Sequence, residues 1–161
     1  MSEPLIGREK TMEKIKVLIF GASGMLGHML MDLMSKRGNF EVRGTVRDYQ
    51  TLTPDFLERH RGSLYNWTTV DTFHIIDEIV DDYEPDVIIN AIGIIKQIKL
   101  AKDAVTSISV NSLFPHQICN KYGDRSKVIH ISTDCVFDGK KVIIQKRIIL
   151  PQQIYTVEVS Y

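Results

Sequence analysis

Cysteine is scarce: Cys119 and Cys135 are the only two in 161 residues, and neither stands in a Cys/His pattern of zinc-binding spacing. That removes a disulfide scaffold and gives no metal site, and two free thiols fit a reducing, cytoplasmic compartment. No apolar run approaches the roughly 18 residues of a membrane span. The stretch from Met1 to Lys16 is broken by Glu3, Arg8, Glu9, Lys10, Glu13 and Lys14, so a signal peptide would lack its apolar centre. Excess charge of either sign is missing too, because 20 Lys+Arg meet 20 Asp+Glu. This argues against nucleic acid or an acidic membrane held by a broad positive field. What remains is ordinary globular usage, 43% hydrophobic and 25% charged, in a length that suits one packed domain.

Val17-Leu18-Ile19-Phe20 is wholly apolar and runs straight into Gly21, as a strand buried on both faces of a parallel sheet does. Met25, Leu26, Met29, Leu30, Leu33 and Met34 repeat at helical spacing, with Gly38 as the expected C-terminal cap. Phe40 to Val46 reads as a second strand, Asp55 to His60 as a weak helix and Leu64-Tyr65 as a strand stub. Asp71 is the expected N-cap of a helix with Phe73, Ile76, Ile79, Val80 and Tyr83 on its apolar face, ended by Pro85. Asp86 to Ala91 is a fourth strand and Val128 to Ile131 a fifth. Between them, Ala104 to Tyr122 is helical, with Ile108, Leu113, Ile118 and Tyr122 spaced along it and Pro115 expected to kink or open it. Strand alternates with helix, and no Asn-Gly hairpin signal intervenes. The pattern predicts right-handed crossovers and a Rossmann-like, doubly wound α/β parallel sheet of about five strands.

Gly21-Ala22-Ser23-Gly24-Met25-Leu26-Gly27 joins the first strand to the first helix. Glycines here allow a sharp turn and a close approach of backbone amides to a pyrophosphate at the helix N-terminus. About twenty residues further on, such units place an acid for the ribose 2'-hydroxyl of NAD or an Arg for the 2'-phosphate of NADP. The second strand ends in Arg47, which favours NADP(H), with Arg43 as an auxiliary candidate, while Asp48 keeps NAD(H) in play. Asn90-Ala91-Ile92-Gly93 and Ser132-Thr133-Asp134 end the fourth and fifth strands, at the carboxyl edge where open parallel sheets bind ligands. Small residues at the first of these would let a cofactor lie against backbone, and a hydroxyl at the second would reach the same crevice.

The glycine turn, Asn90-Ala91-Ile92-Gly93, Asn111-Ser112-Leu113 and above all Ile131-Ser132-Thr133-Asp134-Cys135-Val136-Phe137-Asp138-Gly139 resemble the extended short-chain dehydrogenases/reductases. The likeness is nearest to the dTDP-4-dehydrorhamnose reductase group of sugar-nucleotide reductases, and it covers Lys16 to Lys141. It implies an oxidoreductase of dTDP-rhamnose and polysaccharide biosynthesis, reducing a keto group on a nucleotide-linked deoxysugar. It further implies that Gly21, Ser23, Gly24, Met25, Leu26, Gly27, Arg47, Asn90, Ala91, Ile92 and Gly93 hold NAD(P). By the same resemblance Thr133 bonds the substrate oxygen and Asn111 supports a proton relay. A non-catalytic NADP-binding subunit, similar to the regulatory subunit of methionine adenosyltransferase, is the alternative. A homo-oligomer is compatible with either.

The chain departs from that group in lacking its Tyr-x-x-x-Lys pair, the proton donor and the lysine that lowers its pKa. Tyr155 is followed four residues later by Val159, and beyond Gly139 the lysines are Lys140, Lys141 and Lys146. Reading the codons for Val142 to Tyr161 one base earlier permits G-N-Y-T-E-K-D-Y-P-T-A-T-D-L-Y-G-R-S-K-L, the group's continuation with its Tyr and Lys. The expectation is therefore a frameshift after Lys141 that removes the substrate half. Residues 1–15 are expected to be a flexible extension, with Met12 an alternative start, residues 16–141 the NAD(P)-binding domain, and residues 142–161 an aberrant tail. That tail is expected neither to cover the fifth strand nor to pair cleanly at its edge.

Overall fold

The computed structural model describes residues 13–95, 103–133 and 154–159. The strands β1 (Ile15–Phe20), β2 (Phe40–Thr45), β3 (Leu64–Tyr65), β4 (Val87–Asn90), β5 (Lys127–Thr133) and β6 (Ile154–Val159) form one sheet in the order β3-β2-β1-β4-β5-β6. Every pairing is parallel. Helices α1 (Met25–Ser35), α2 (Pro54–His60), α3 (Phe73–Tyr83), α4 (Ala104–Ile108) and α5 (Phe114–Tyr122) connect them. The Rossmann-like α/β reading of the sequence holds.

Alternation along β1 splits the core in two. Leu18 and Phe20 join Ile88 and Val128 under α3 and α5, where Ile76, Val80, Phe114, Ile118 and Tyr122 close the packing. Val17 and Ile19 face the other way, with Val42, Ile89 and Met31 of α1 and Phe56 of α2. A strand in the middle of a doubly covered sheet must be apolar on both faces, which is why its run reads as continuous rather than alternating. Full burial of each such side chain stabilises by about 1.5–3 kcal/mol.

Local chemistry sets the helix ends. Thr53 caps α2 by accepting from Phe56 N at 3.3 Å, Pro54 takes the first turn, and Arg59 and His60 sit in the last, favourable toward the helix dipole. Glu84 ends α3 with a left-handed φ of 49° before Pro85.

Several expectations need correction. α1 ends at Ser35 with Lys36 as its cap, so Gly38 lies beyond the helix. Its buried line passes through Gly27 and Met31 with Leu30 and Met34 beside them, leaving Met25, Leu26, Met29 and Leu33 exposed. Gly27 packs against Gly21 and Ala22 of the turn, where no Cβ would fit, and this contact rather than the bulkier stripe keeps that face of the helix inward. Thr72, not Asp71, precedes α3; its Oγ1 accepts from Thr69 N at 2.9 Å and donates to Thr69 O at 2.9 Å, closing the loop before the helix. The chain accommodates Pro115 by a π-helical turn over Ser109–Leu113, between α4 and α5. Ile108 and Leu113 are exposed there, while Ile118 and Tyr122 are buried.

The tail also differs from expectation. Residues Ile154–Val159 pair in parallel with β5, from Val128↔Ile154 to Thr133↔Val159. Five of the six residues in Ile-Tyr-Thr-Val-Glu-Val are β-branched or aromatic, and an edge strand needs only that propensity and a neighbour with open backbone groups. Residues 1–12, with Met12, and residues 134–153, with Cys135, Asp138 and Lys141, lie outside the described residues. Cys119 is buried as a free thiol, its pKa pushed up by desolvation.

Candidate nucleotide-binding site

The carboxyl ends of β1, β2, β3, β4 and β5 deliver the candidate residues to one edge. At the end of β1, Gly21 adopts φ 83°, a conformation that costs other residues energy but not glycine. Ala22 N donates to Thr45 O at 2.9 Å, tying the turn to β2, and Gly24 N donates to Gly21 O at 3.0 Å, closing the turn on itself. A Cβ at Gly27 would be driven into the Gly21 carbonyl oxygen and against Ala22 Cα, so only glycine lets α1 start this close to the turn. No side chain caps α1, and the first N–H to bond back is that of His28, to Gly24 O at 2.8 Å. The amides of Met25, Leu26 and Gly27 therefore form an uncapped helix N-terminus behind a glycine turn, the geometry that suits a phosphate. Ser23 and Gly24 are exposed beside it.

Arg47 follows β2 and is exposed, with no ion-pair or hydrogen-bond partner among the described residues. Asp48 Oδ1 accepts from Gln50 N at 2.8 Å, capping the short turn Tyr49–Thr51. Arg43 is not at the edge. Its Nη1 donates to Tyr65 OH at 2.6 Å and its guanidinium lies 4.4 Å from the Tyr83 ring, so it belongs to the packing of α3 on β2.

At the end of β4, Asn90 is fully buried and holds the turn rather than facing the crevice. Its Oδ1 accepts from Ile92 N at 3.1 Å and its Nδ2 lies 3.1 Å from His130 Nδ1. Ala91 N donates to Phe20 O at 3.0 Å, and Ile92 lies so near Gly21 that a Cβ there would meet Ile92 Cγ1 at 2.9 Å. The glycine turn and the β4 turn are thus in contact. Asn111, in the π-helical turn, grips the next peptide with both ends of its amide, accepting from Ile94 N at 2.8 Å and donating to Ile94 O at 2.9 Å. Gly93 lies beside it; a Cβ there would sit 3.7 Å from Asn111 Oδ1. Thr133 closes β5, in register with Val159.

The sequence reading missed three neighbours of the site. His130 sits beside Asn90, and burial, reinforced by His116, lowers its pKa toward the neutral ring. Tyr49 donates its hydroxyl to Leu64 O at 2.5 Å and its N–H to Asn66 Oδ1 at 3.1 Å, with burial raising the phenol's pKa. Trp67 follows β3 with a φ of 59°. No spacing signal marks these contacts, which arise from strand order.

Among the described residues no helix is long and apolar enough to cross a membrane, and no cluster of three or more His, Cys, Asp or Glu could hold a metal.

A parallel α/β sheet carrying an uncapped, glycine-cradled helix N-terminus at its carboxyl edge defines a Rossmann-like domain of the dinucleotide-binding type. Residues 15–157 match the RmlD substrate binding domain model, and the chain belongs to that family. It is similar to a dTDP-4-dehydrorhamnose reductase of Aggregatibacter actinomycetemcomitans, 30% identical over 129 residues, which cover 78% of this chain and 37% of that protein. The crystal structure of a hypothetical dTDP-4-dehydrorhamnose reductase from Sulfolobus tokodaii is 29% identical, with a TM-score of 0.64 over 84% of this chain and 45% of that one. The fold also matches dTDP-4-dehydrorhamnose reductase from Bacillus anthracis in complex with NADP, at a TM-score of 0.58 and 19% identity, over 80% of this chain and 40% of that one. The chain spans less than half the length of these relatives.

Proposed function

We propose that this chain is the cofactor-binding half of an NAD(P)-dependent reductase acting on a keto group of a nucleotide-linked deoxysugar, with NADP(H) preferred over NAD(H). The observation that carries the preference is Arg47, exposed after β2 without a partner among the described residues, whereas Asp48 next to it already accepts Gln50 N through one of its two oxygens. The uncapped start of α1, at Met25, Leu26 and Gly27 with Gly21, Ser23 and Gly24 before it, takes the pyrophosphate. Ala91, Ile92 and Gly93 form the surface beside it, shaped by Asn90 and Asn111. When bound, the nicotinamide supplies hydride to the carbonyl carbon. Thr133 orients the carbonyl oxygen, and Asn111 positions the crevice wall.

After Thr133 the sequence has no Tyr-x-x-x-Lys pair to give the oxygen its proton, and in this reading turnover is absent. General acid catalysis contributes about 10²–10⁴ in rate. Restoring the reading frame after Lys141 should produce reduction of a dTDP-keto sugar that the 161-residue chain does not perform. Equal rates from the two proteins would refute the assignment of the missing Tyr. For the cofactor, each charge-assisted bond to a 2'-phosphate contributes about 1.5–3 kcal/mol. Titration of Arg47→Ala with both cofactors should therefore show the NADP/NAD affinity ratio falling about 10- to 100-fold. An unchanged ratio refutes the preference.

One observation favours the second reading, a non-catalytic NADP-binding subunit: residues 154–159 are built into the sheet as β6 rather than left beside it. A cooperative, monomeric 161-residue chain that binds NADP and shows no turnover in either frame would support it.

A further inference from the structure

We propose that His130 is a positioning residue of the nucleotide site, its neutral imidazole holding the Asn90 amide and, through it, the turn after β4 against the glycine turn. The inference rests on the cofactor reading above and gives a role to a half-buried histidine which that reading does not use. Register pairs Phe20 with Asn90 and Asn90 with His130 across β1, β4 and β5. Otherwise that face of the sheet is apolar beneath α3 and α5, with Leu18, Phe20, Ile88 and Val128 buried on it. Two polar side chains in such a row cost desolvation, and an apolar pair of the same shape can be as stable. Packing therefore does not account for the pair.

The hydrogen-bond donors fix the state of the ring. Ile92 N only donates, so the Asn90 side-chain oxygen must face it, at 3.1 Å. The Asn90 amide nitrogen is then turned to His130 Nδ1, 3.1 Å away, and donates to it. Nδ1 therefore carries no proton, and the neutral ring holds its hydrogen on Nε2. A proton added at Nδ1 sets two donors face to face. Turning the Asn90 amide over relieves that clash only by setting its NH2 against Ile92 N, so either way one bond of the turn is lost. The loss reaches the nucleotide site directly, because the two turns pack so closely that a Cβ on Gly21 would lie 3.3 Å from Ile92 N. Titratable groups on the elements around the ring are His116 on α5 and, on β6, Glu158, which lies two residues past Thr156, the register partner of His130. Burial is the main cause that lowers the His130 pKa, the His116 charge adds to it, and the Asn90 backbone opposes both.

NADP+ is titrated by calorimetry, at intervals from pH 8 to pH 5, into the full 161-residue chain and into His130→Gln, whose side-chain oxygen accepts from Asn90 and does not titrate. The 2'-phosphate of the ligand ionises in the same range, and its effect cancels in the ratio of the two affinities. At pH 8 the two chains should bind within a few-fold of each other. As pH drops through the folded pKa of His130, below the ordinary 6.5, the parent should lose affinity relative to His130→Gln by up to about 10-fold per pH unit. His130→Leu, with no acceptor, should bind about 3- to 10-fold more weakly than the parent at pH 8. His116→Gln should keep the pH-dependent loss with its midpoint moved up, since a charged neighbour is gone. In nitrogen-15 spectra of the labelled chain at pH 7, the imidazole signals that His130→Gln lacks should show Nδ1 unprotonated and Nε2 protonated. A histidine with only a structural role would shift the thermal midpoint and leave the affinity ratio independent of pH. A constant ratio, or a protonated Nδ1, overturns the inference and leaves the cofactor reading standing. No heat of binding in the parent at any pH overturns both.

Discussion

Asp32, on α1, gathers the end of α2: His60 Nε2 lies 2.7 Å from its Oδ1, and Arg59 Nη2 and His28 Nε2 lie 3.2 and 3.5 Å from its Oδ2. Phe56 is sandwiched between His28 and His60, with ring centroids 4.1 and 4.7 Å away. The hydrogen bond from His60 holds the Asp32 carboxyl below its ordinary value of 3.8 against the opposing effect of burial, with Arg59 and the histidine charges adding to it. A carboxylate whose pKa is depressed by folding contributes in full above its unfolded value and loses that contribution as pH falls through the folded one. Asp32→Asn should lower the thermal midpoint at pH 7 by about 2–4 °C, the shift of ~1 kcal/mol for a chain of this size. The gap between variant and parent should close below about pH 4, and a gap independent of pH would refute the account. Sequence could not show this cluster, in which Asp32 and His60 lie 28 residues apart, just as it could not show that Arg43 is used by Tyr65 and Tyr83. It did show the glycine turn, because there the requirement is written into the backbone itself.

Among the elements, those governed by continuous local patterns were legible: β1, β2, β4, the two-residue β3, α2 after its Thr-Pro start, and the interruption of the helix at Pro115. Those governed by tertiary contact were not. The rotation of α1 follows from Gly27, and the use of residues 154–159 follows from the open edge of β5. That edge gives the strand a measurable role. Deleting residues 154–161 should lower the thermal midpoint by about 5 °C or more, since several ladder hydrogen bonds at ~0.5–1.5 kcal/mol each are lost. It should also make sedimentation concentration-dependent as the bared β5 pairs between molecules. A truncated chain that stays monomeric with an unchanged midpoint would show that β6 contributes nothing to stability.

For the molecule as a whole, alternation of strand and helix was enough to specify a parallel sheet with helices on both faces, and right-handed crossovers then leave few strand orders. The position of β1 between β2 and β4 carries a kinetic consequence during synthesis. Its second neighbour is far away in the chain: the backbone of Lys16 meets the side chain of Asp86 across 70 residues, at the start of the β1–β4 ladder. At about 5–20 residues per second the ribosome takes on the order of several seconds to deliver β4 after β1 has emerged. Throughout that interval Val17-Leu18-Ile19-Phe20 can be flanked by β2 alone, with an unmatched row of amides and carbonyls along its other side. The apolar run that ends as the best-buried strand is therefore the segment of the nascent chain longest in need of protection, and the natural place for a chaperone to hold it.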